Sequence, residues 1–225
     1  MSYIISVDGP AGSGKSTLTK TLGKVLGVKR IDTGMMYRAV ALYFIDNNIN
    51  MEDSSSVVEA LKNIDIQIVD SEDKESAKVY LNKVDVTLEI RAENVGYMAA
   101  VVSGIKEVRY AMVEEQRNIA KNQSVIMDGR DIGSVVFPNA DVKIFLVANI
   151  DDRCKRRCAD LLKAGKNVTF EEVKKNMEAR DKVDIEKPIS PLIKTEDMIE
   201  ISSSEHTEEE IAEMVMKIVK ERGLI

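Results

Sequence analysis

Residues 9–16 read Gly-Pro-Ala-Gly-Ser-Gly-Lys-Ser and fill every fixed position of the pattern G-x-x-x-x-G-K-[ST]. No other stretch restricts the fold so tightly. In that pattern the glycines let successive backbone N–H groups turn toward a polyphosphate, the lysine reaches the β and γ oxygens, and the hydroxyl ligates Mg²⁺. The flanks agree with it. Tyr3-Ile4-Ile5-Ser6-Val7-Asp8 is a short β-prone run, and Leu18, Leu22, Val25 and Leu26 recur at helical spacing over 15–26. Strand, glycine loop and helix in that order predict a nucleoside-triphosphate site, with Gly9, Pro10, Ala11, Gly12, Ser13, Gly14, Lys15, Ser16 and Thr17 around the phosphates. The competing reading is a glycine-rich turn without ligand.

The rest of the chain predicts an α/β fold. Short strands are expected at 28–31, 124–127, 142–147 and 198–201, and helices at 34–45, 94–121 with a break at Ser103-Gly104, and 151–164 stopped by Gly165. Thr169 with Glu172 and Thr207 with Glu210 are capping-box signatures for two more helices. Strand candidates at 65–69, 78–81 and 84–86, around a polar loop at 70–77, break the alternation and predict a small antiparallel excursion. A formal net charge of −6 gives no electrostatic basis for general binding to nucleic acid or an anionic membrane. No apolar run reaches membrane-spanning length, and a strand follows the N-terminus at once, so a cytoplasmic protein is expected. With two cysteines and one histidine, a zinc site is not expected.

Three further segments carry chemistry. Asp32-Thr33-Gly34-Met35-Met36-Tyr37-Arg38 places polar and cationic groups where a strand gives way to a helix, the edge at which open α/β folds bind ligands. Arg38 can face a second phosphate there or lie solvated, and Asp32 or Thr33 can serve only as a cap. Ser124 to Asp131 delivers Asp128 to the same edge, suited to a Mg²⁺-bound water, and Gly129 then permits a tight turn carrying Arg130 and Asp131; the competing reading is a turn with helix-capping acids. Arg153, Arg156 and Arg157 share one helix face, and Arg180 with Asp184 repeats that spacing on the next helix. Such arginines are often a solvated face; beside a phosphate loop they are suited to closing over a transferring phosphoryl group.

Taken together, Gly9 to Ser16, Asp-Thr-Gly-x-x-Tyr-Arg at 32–38, and Asp-Gly-Arg-Asp-Ile-Gly at 128–133 followed by Val-Val-Phe-Pro resemble the bacterial cytidylate kinases. The resemblance spans nearly the whole chain. It implies a P-loop nucleoside-monophosphate kinase fold, with a parallel-sheet core at 1–62, 105–150 and 188–225, an enlarged monophosphate-binding insert at 63–104, and a lid with its flanking helix at 151–187. It implies ATP and Mg²⁺, the latter on Ser16 and Asp128, and CMP or dCMP as acceptor. By the same resemblance the acceptor site comprises Thr33, Tyr37, Arg38, Arg109, Arg130, Asp131, Arg180 and Asp184. Arg38 and Arg130 address phosphate, Arg109 and Asp131 cytosine, and Arg180 and Asp184 ribose, while Lys15, Arg130, Arg153 and Arg157 act on the transferring group. Two positions depart from the family pattern. Ala100 stands where a serine commonly touches the base, and Lys187 where an arginine lies near the ribose.

A monomer is expected. Rival readings are a phosphate-loop kinase for another small acceptor such as UMP or shikimate, and a nucleotide-dependent switch. A GTPase switch reads guanine with Asn-Lys-x-Asp, and the expectation is that the chain lacks that motif.

Overall fold

The computed structural model describes residues 2–70, 77–163 and 165–225. Positions 71–76 of the expected polar loop, and Ala164 at the expected helix end, lie outside the described residues. In chain order the elements begin β1 (Ile4–Asp8), α1 (Lys15–Leu26), β2 (Lys29–Asp32), α2 (Thr33–Asp46), α3 (Ser54–Lys62), β3 (Ile66–Asp70), β4 (Ala77–Leu81) and β5 (Val84–Asp85). They continue α4 (Glu93–Val102), α5 (Lys106–Ile119), β6 (Val125–Gly129), β7 (Val142–Val147), α6 (Ile150–Lys163), α7 (Phe170–Glu186), β8 (Ile199–Ser202) and α8 (Glu208–Glu221). The chain divides into two compact units, Met1–Arg30 with Gln123–Ile225, and Ile31–Asn122. The segment 63–104, expected as the acceptor insert, falls within the second.

In the first unit β1 pairs in parallel with both β6 and β7, and β7 with β8, within a sheet whose strand order is β2-β6-β1-β7-β8. One face of these strands is apolar: Ile5, Val7, Ile126, Ile144 and Leu146 line it, while Ser6, Asp8 and Lys143 alternate with them along β1 and β7. Leu18 and Leu22 of α1 join Ile211, Val215 and Val219 of α8 over these strands in one core. Each such side chain, fully buried, contributes roughly 1.5–3 kcal/mol. The register sets Val7 opposite Asp128 and Asp8 opposite Gly129, so the phosphate loop and the Asp128 segment leave the sheet side by side. A smaller core of Cys154, Leu161, Val173 and Met177 joins α6 to α7, with Ala11 of the phosphate loop packed against it.

One deviation bears on the site. The tight turn expected at Gly129 is not made there. β6 continues through Gly129, which has no left-handed backbone, and the chain reverses in a wide helical turn over Ile132–Val136. Its bonds run five residues back, from Val136 N–H to the Asp131 carbonyl and from Phe137 N–H to that of Ile132.

In the second unit α2 packs against α4, and β3-β4-β5 form an antiparallel sheet. Helix α3 is absent from the sequence reading because only Val57 and Ala60 are buried along it; the Asp53 side chain caps its start by accepting from Ser55 N–H. The expectation that the chain lacks Asn-Lys-x-Asp is wrong, since Asn82-Lys83-Val84-Asp85 spells it. Its placement removes the guanine-reading role. Asn82 and Lys83, with φ of 50° and 70°, form the tight connection between β4 and β5. The Asn82 side chain donates to the Asn63 carbonyl and accepts from Asp65 N–H, each at 2.8 Å, while Asp85 accepts from Thr87.

Lys143 is a buried cation near the start of β7, paired with the exposed carboxylate of Asp197 just before β8. Removing Asp197 strands that ammonium without its partner, whereas replacing Lys143 by an apolar side chain removes the need for one. Asp197→Ala is therefore expected to lower Tm more than Lys143→Met in thermal unfolding; the reverse order would show that the pair does not govern this strand junction.

Candidate active site

Beyond β1 the backbone enters the loop, where Gly12 and Gly14 hold φ of +73° and +94°, a region costly for any side chain. Four successive carbonyls of the loop accept from side-chain donors. Pro10 O accepts from Lys15 Nζ at 2.7 Å, Ala11 O from Arg153 Nη1 at 3.1 Å, Gly12 O from Arg156 Nη1 at 3.3 Å, and Ser13 O from Ser203 Oγ at 2.8 Å. In a trans peptide the following N–H points opposite to the carbonyl, so holding the Ala11 and Ser13 carbonyls turns the Gly12 and Gly14 amides the other way, while Ser13 N–H donates to the Pro10 carbonyl at 3.4 Å. Arg153 is further held by the Ala148 carbonyl at 3.2 Å and by the Asp181 carboxylate at 2.6 Å. Arg156 also donates to the Ser203 carbonyl and hydroxyl. Two arginines of α6 thus brace the loop; Arg157, on the same helix, is half-buried.

Ser16 Oγ donates to one Asp128 oxygen and Thr19 Oγ1 to the other, both at 3.1 Å. Thr19 is fully buried. A hydroxyl and a carboxylate held in contact suit Mg²⁺, which keeps most of its shell for water and phosphate oxygens. Among the described residues no cluster of three or more His, Cys, Asp or Glu side chains forms a closed metal cage.

Next to this pair lies Asp8, with no exposed surface, accepting from Ile132 N–H and Gly133 N–H at 2.7 Å each. Burial pushes its carboxyl up to about 6; the two amide bonds oppose the shift, the Asp131 charge adds to it and Lys15 opposes it. Asp131 itself is 3% exposed. On the neighbouring surface Arg130 Nε meets the buried Asp184 carboxylate at 2.6 Å. Burial alone would raise the Asp184 carboxyl, but Arg130, by charge and hydrogen bond, with Arg180 and Lys187, holds it below the usual range. Lys187 thus keeps a cation beside Asp184, though without the fork of an arginine.

In the second unit, Arg38 on α2 donates from Nη1 to the Ile90 carbonyl at 2.7 Å. Its guanidinium lies against α4 at Gly96, where a Cβ would stand 2.8 Å from Nη2. Buried Arg109 of α5 donates to the Tyr37 hydroxyl, with its guanidinium carbon 5.6 Å from the Tyr37 ring centroid. Thr33 begins α2 and is buried; Asp32 occupies the cap position without a side-chain cap bond. Ala100 is buried on α4, and its carbonyl accepts from Ser103 Oγ at 2.7 Å.

The structure therefore brings together Lys15 with its loop, Ser16 with Asp128, Arg130 with Asp184, and Tyr37 with Arg109. Residues missing from the sequence reading are Asp8, Thr19, Asp181 and Ser203. Thr19 was legible in principle, three residues after Ser16 on one helix face. Ser203 carries no local signal, because the chain comes back to the loop only through the fold.

Compared with known proteins, the sequence profile described as cytidylate kinase matches residues 5–221. A cytidylate kinase of Fusobacterium nucleatum subsp. nucleatum is 43% identical over 217 residues, covering 96% of this chain and 97% of that protein. One from Caldanaerobacter subterraneus subsp. tengcongensis is 42% identical over 216 residues, covering 96% and 94%. Among solved structures, an uncharacterized protein from Eubacterium ventriosum aligns with a TM-score of 0.55 at 13% identity, covering 97% of this chain and 98% of that one, a likeness of fold alone.

The raised Asp8 carboxyl has a thermodynamic sign. The folded chain binds its proton up to pH about 6 and the unfolded chain only to about 3.8, so this residue's contribution to stability declines as pH rises through that window. Asp8→Asn does not titrate. The stability lost on making it is expected to be larger at pH 4.5 than at pH 7.5 by about 2 kcal/mol, measured by urea unfolding. An equal loss at both pH values would contradict a raised Asp8.

Proposed function

The chain belongs to the cytidylate kinase family, and on that premise we propose that it transfers the γ-phosphoryl group of ATP to CMP or dCMP, giving ADP and CDP or dCDP. The observation that carries this reading is the Asp128 carboxylate clasped by Ser16 and Thr19 beside a phosphate loop whose Ala11, Gly12 and Ser13 carbonyls are held by Arg153, Arg156 and Ser203. Ser16 and Asp128 would hold Mg²⁺. When bound, that ion would supply positive charge against the charge developing on the transferring phosphates. Lys15 moves onto the same phosphates, and loop amides among residues 9–17, Pro10 having none to give, take the rest of the polyphosphate. Arg153 and Arg157 of the lid neutralise the transferring group and exclude water.

For the acceptor, Arg38 and Arg130 take the phosphate, Thr33 and Tyr37 line its approach, Arg109 and Asp131 read cytosine, and Arg180 with Asp184 take the ribose. The attacking phosphate oxygen is largely ionised at neutral pH, its second pKa being roughly 6, so no general base is required. Catalysis is alignment plus charge stabilisation. The exocyclic amine of cytosine donates to the Asp131 carboxylate, whereas uracil offers an acceptor there. Nucleotides as substrates support a cytoplasmic enzyme.

A coupled assay of ADP release with CMP, dCMP, UMP, AMP, shikimate or no acceptor tests the reading. Turnover is expected with CMP or dCMP far above the others, and Lys15→Ala is expected to lose at least a hundredfold in kcat while keeping its Tm. Acceptor-independent hydrolysis would favour a switch, and a preference for shikimate would move the chain to another acceptor class.

Gly96 supplies a second test. Alanine favours the interior of α4 by up to about 1 kcal/mol over glycine, yet its methyl displaces the Arg38 guanidinium. Gly96→Ala is expected to keep or raise Tm while raising KM for CMP at least fivefold, with KM for ATP little changed. An unaltered KM for CMP would remove Arg38 from the acceptor site.

A further inference from the structure

We infer that Asp8 is a positioning residue for acceptor selection: its carboxylate seats the turn at 131–133 on the strand that carries the phosphate loop, and thereby sets where Asp131 meets the acceptor base. The inference rests on the reading of Asp131 as the base-reading carboxylate. Asp8 belongs to the first strand and has all of its surface buried. Its two oxygens are used separately, Oδ1 by Ile132 N–H and Oδ2 by Gly133 N–H, each at 2.7 Å. Those are the two amides directly after Asp131. The Asp131 carbonyl closes the same turn by accepting from Val135 N–H at 2.9 Å and Val136 N–H at 3.2 Å. The backbone is therefore held at residues 131, 132 and 133, which fixes the origin of the Asp131 side chain.

The seat is also close at Gly133, where a side chain would force its neighbours to shift. A Cβ there would lie 2.6 Å from Ser6 Oγ and 3.3 Å from Asp8 Oδ2, so the absence of a side chain is what lets the turn rest on β1. A carboxylate buried this deeply is costly, and an apolar side chain would fill the strand position with less penalty. Two adjacent donors explain why an acid stands there. Asparagine offers one accepting oxygen and one donating nitrogen, so one of the two N–H groups would face another donor and the turn would tilt. Because the peptide planes of 131–133 move together, such a tilt displaces the Asp131 carboxylate, and an error of about 1 Å is enough to weaken a positioned contact severely.

The test is the ratio of kcat/KM for CMP to that for UMP at saturating MgATP, in Asp8→Asn, Asp131→Ala and the double variant. Saturating donor cancels changes in the phosphate loop from the ratio. Asp131→Ala is expected to lower the ratio at least fivefold, Asp8→Asn to lower it at least threefold, and the double variant to match Asp131→Ala alone. A residue that merely supports the fold would lower both rates together and leave the ratio unchanged. That result in Asp8→Asn, with Asp131→Ala still narrowing the ratio, overturns the positioning role, as does an additive loss in the double variant. An unchanged ratio in Asp131→Ala overturns the reading of Asp131 and this inference with it. If Asp8→Asn does not yield folded protein, Gly133→Ala, which presses the same turn away from Asp8, is carried through the same cycle with the same expected and overturning results.

Discussion

The parallel pairing of β1 with β6 on one side and β7 on the other is the constraint on which the rest depends. Its register brings Asp8 level with Gly129 and Val7 level with Asp128, so the loop after β1 and the segment after β6 leave the sheet at one edge. A shift by one residue would turn each inward apolar side chain to the opposite face. The apolar burial that fixes the register therefore also fixes the chemistry. The contact between Ser16 and Asp128 follows from it, because Ser16 opens the helix that packs on those same strands.

Around that edge, charge is buried in a deliberate pattern. Asp8 is satisfied by two amides, Arg153 by Asp181 and two carbonyls, and Arg130 by Asp184. Buried ion pairs are weak sources of stability, since desolvation offsets most of their attraction. They do restrict geometry. Arg153 and Arg156 donate to adjacent carbonyls of the phosphate loop, so the helix that carries the lid arginines is tied to the backbone it is proposed to act over. Asp8 makes the corresponding tie from the loop's own strand to the turn bearing Asp131.

Much of this was legible in the sequence, and the residues that escaped share a physical reason. The phosphate loop, the strand ending in Asp128 and both capping boxes announce themselves because each depends on residues adjacent in the chain. Helix α3 buries too little to leave a periodic signal, and Lys143 is hidden within an apolar strand because its partner Asp197 lies 54 residues away. Gly129 suggested a tight turn, but the tertiary capture of Ile132 and Gly133 by Asp8 made a wider one. Asn82 to Asp85 shows the opposite error, a motif present in letters whose side chains are consumed by a hairpin. Local chemistry was readable; partners brought together by the fold were not.

The central claim is that this edge, together with the arginines assigned to the acceptor, moves a phosphoryl group onto a cytidine nucleotide rather than onto water. Phosphorus NMR of the purified protein with MgATP and CMP observes that transfer directly. Resonances of CDP should grow in equal amount with those of ADP, with inorganic phosphate negligible and no comparable conversion when UMP replaces CMP. Growth of inorganic phosphate in place of CDP, or formation of UDP at the same rate, would contradict it.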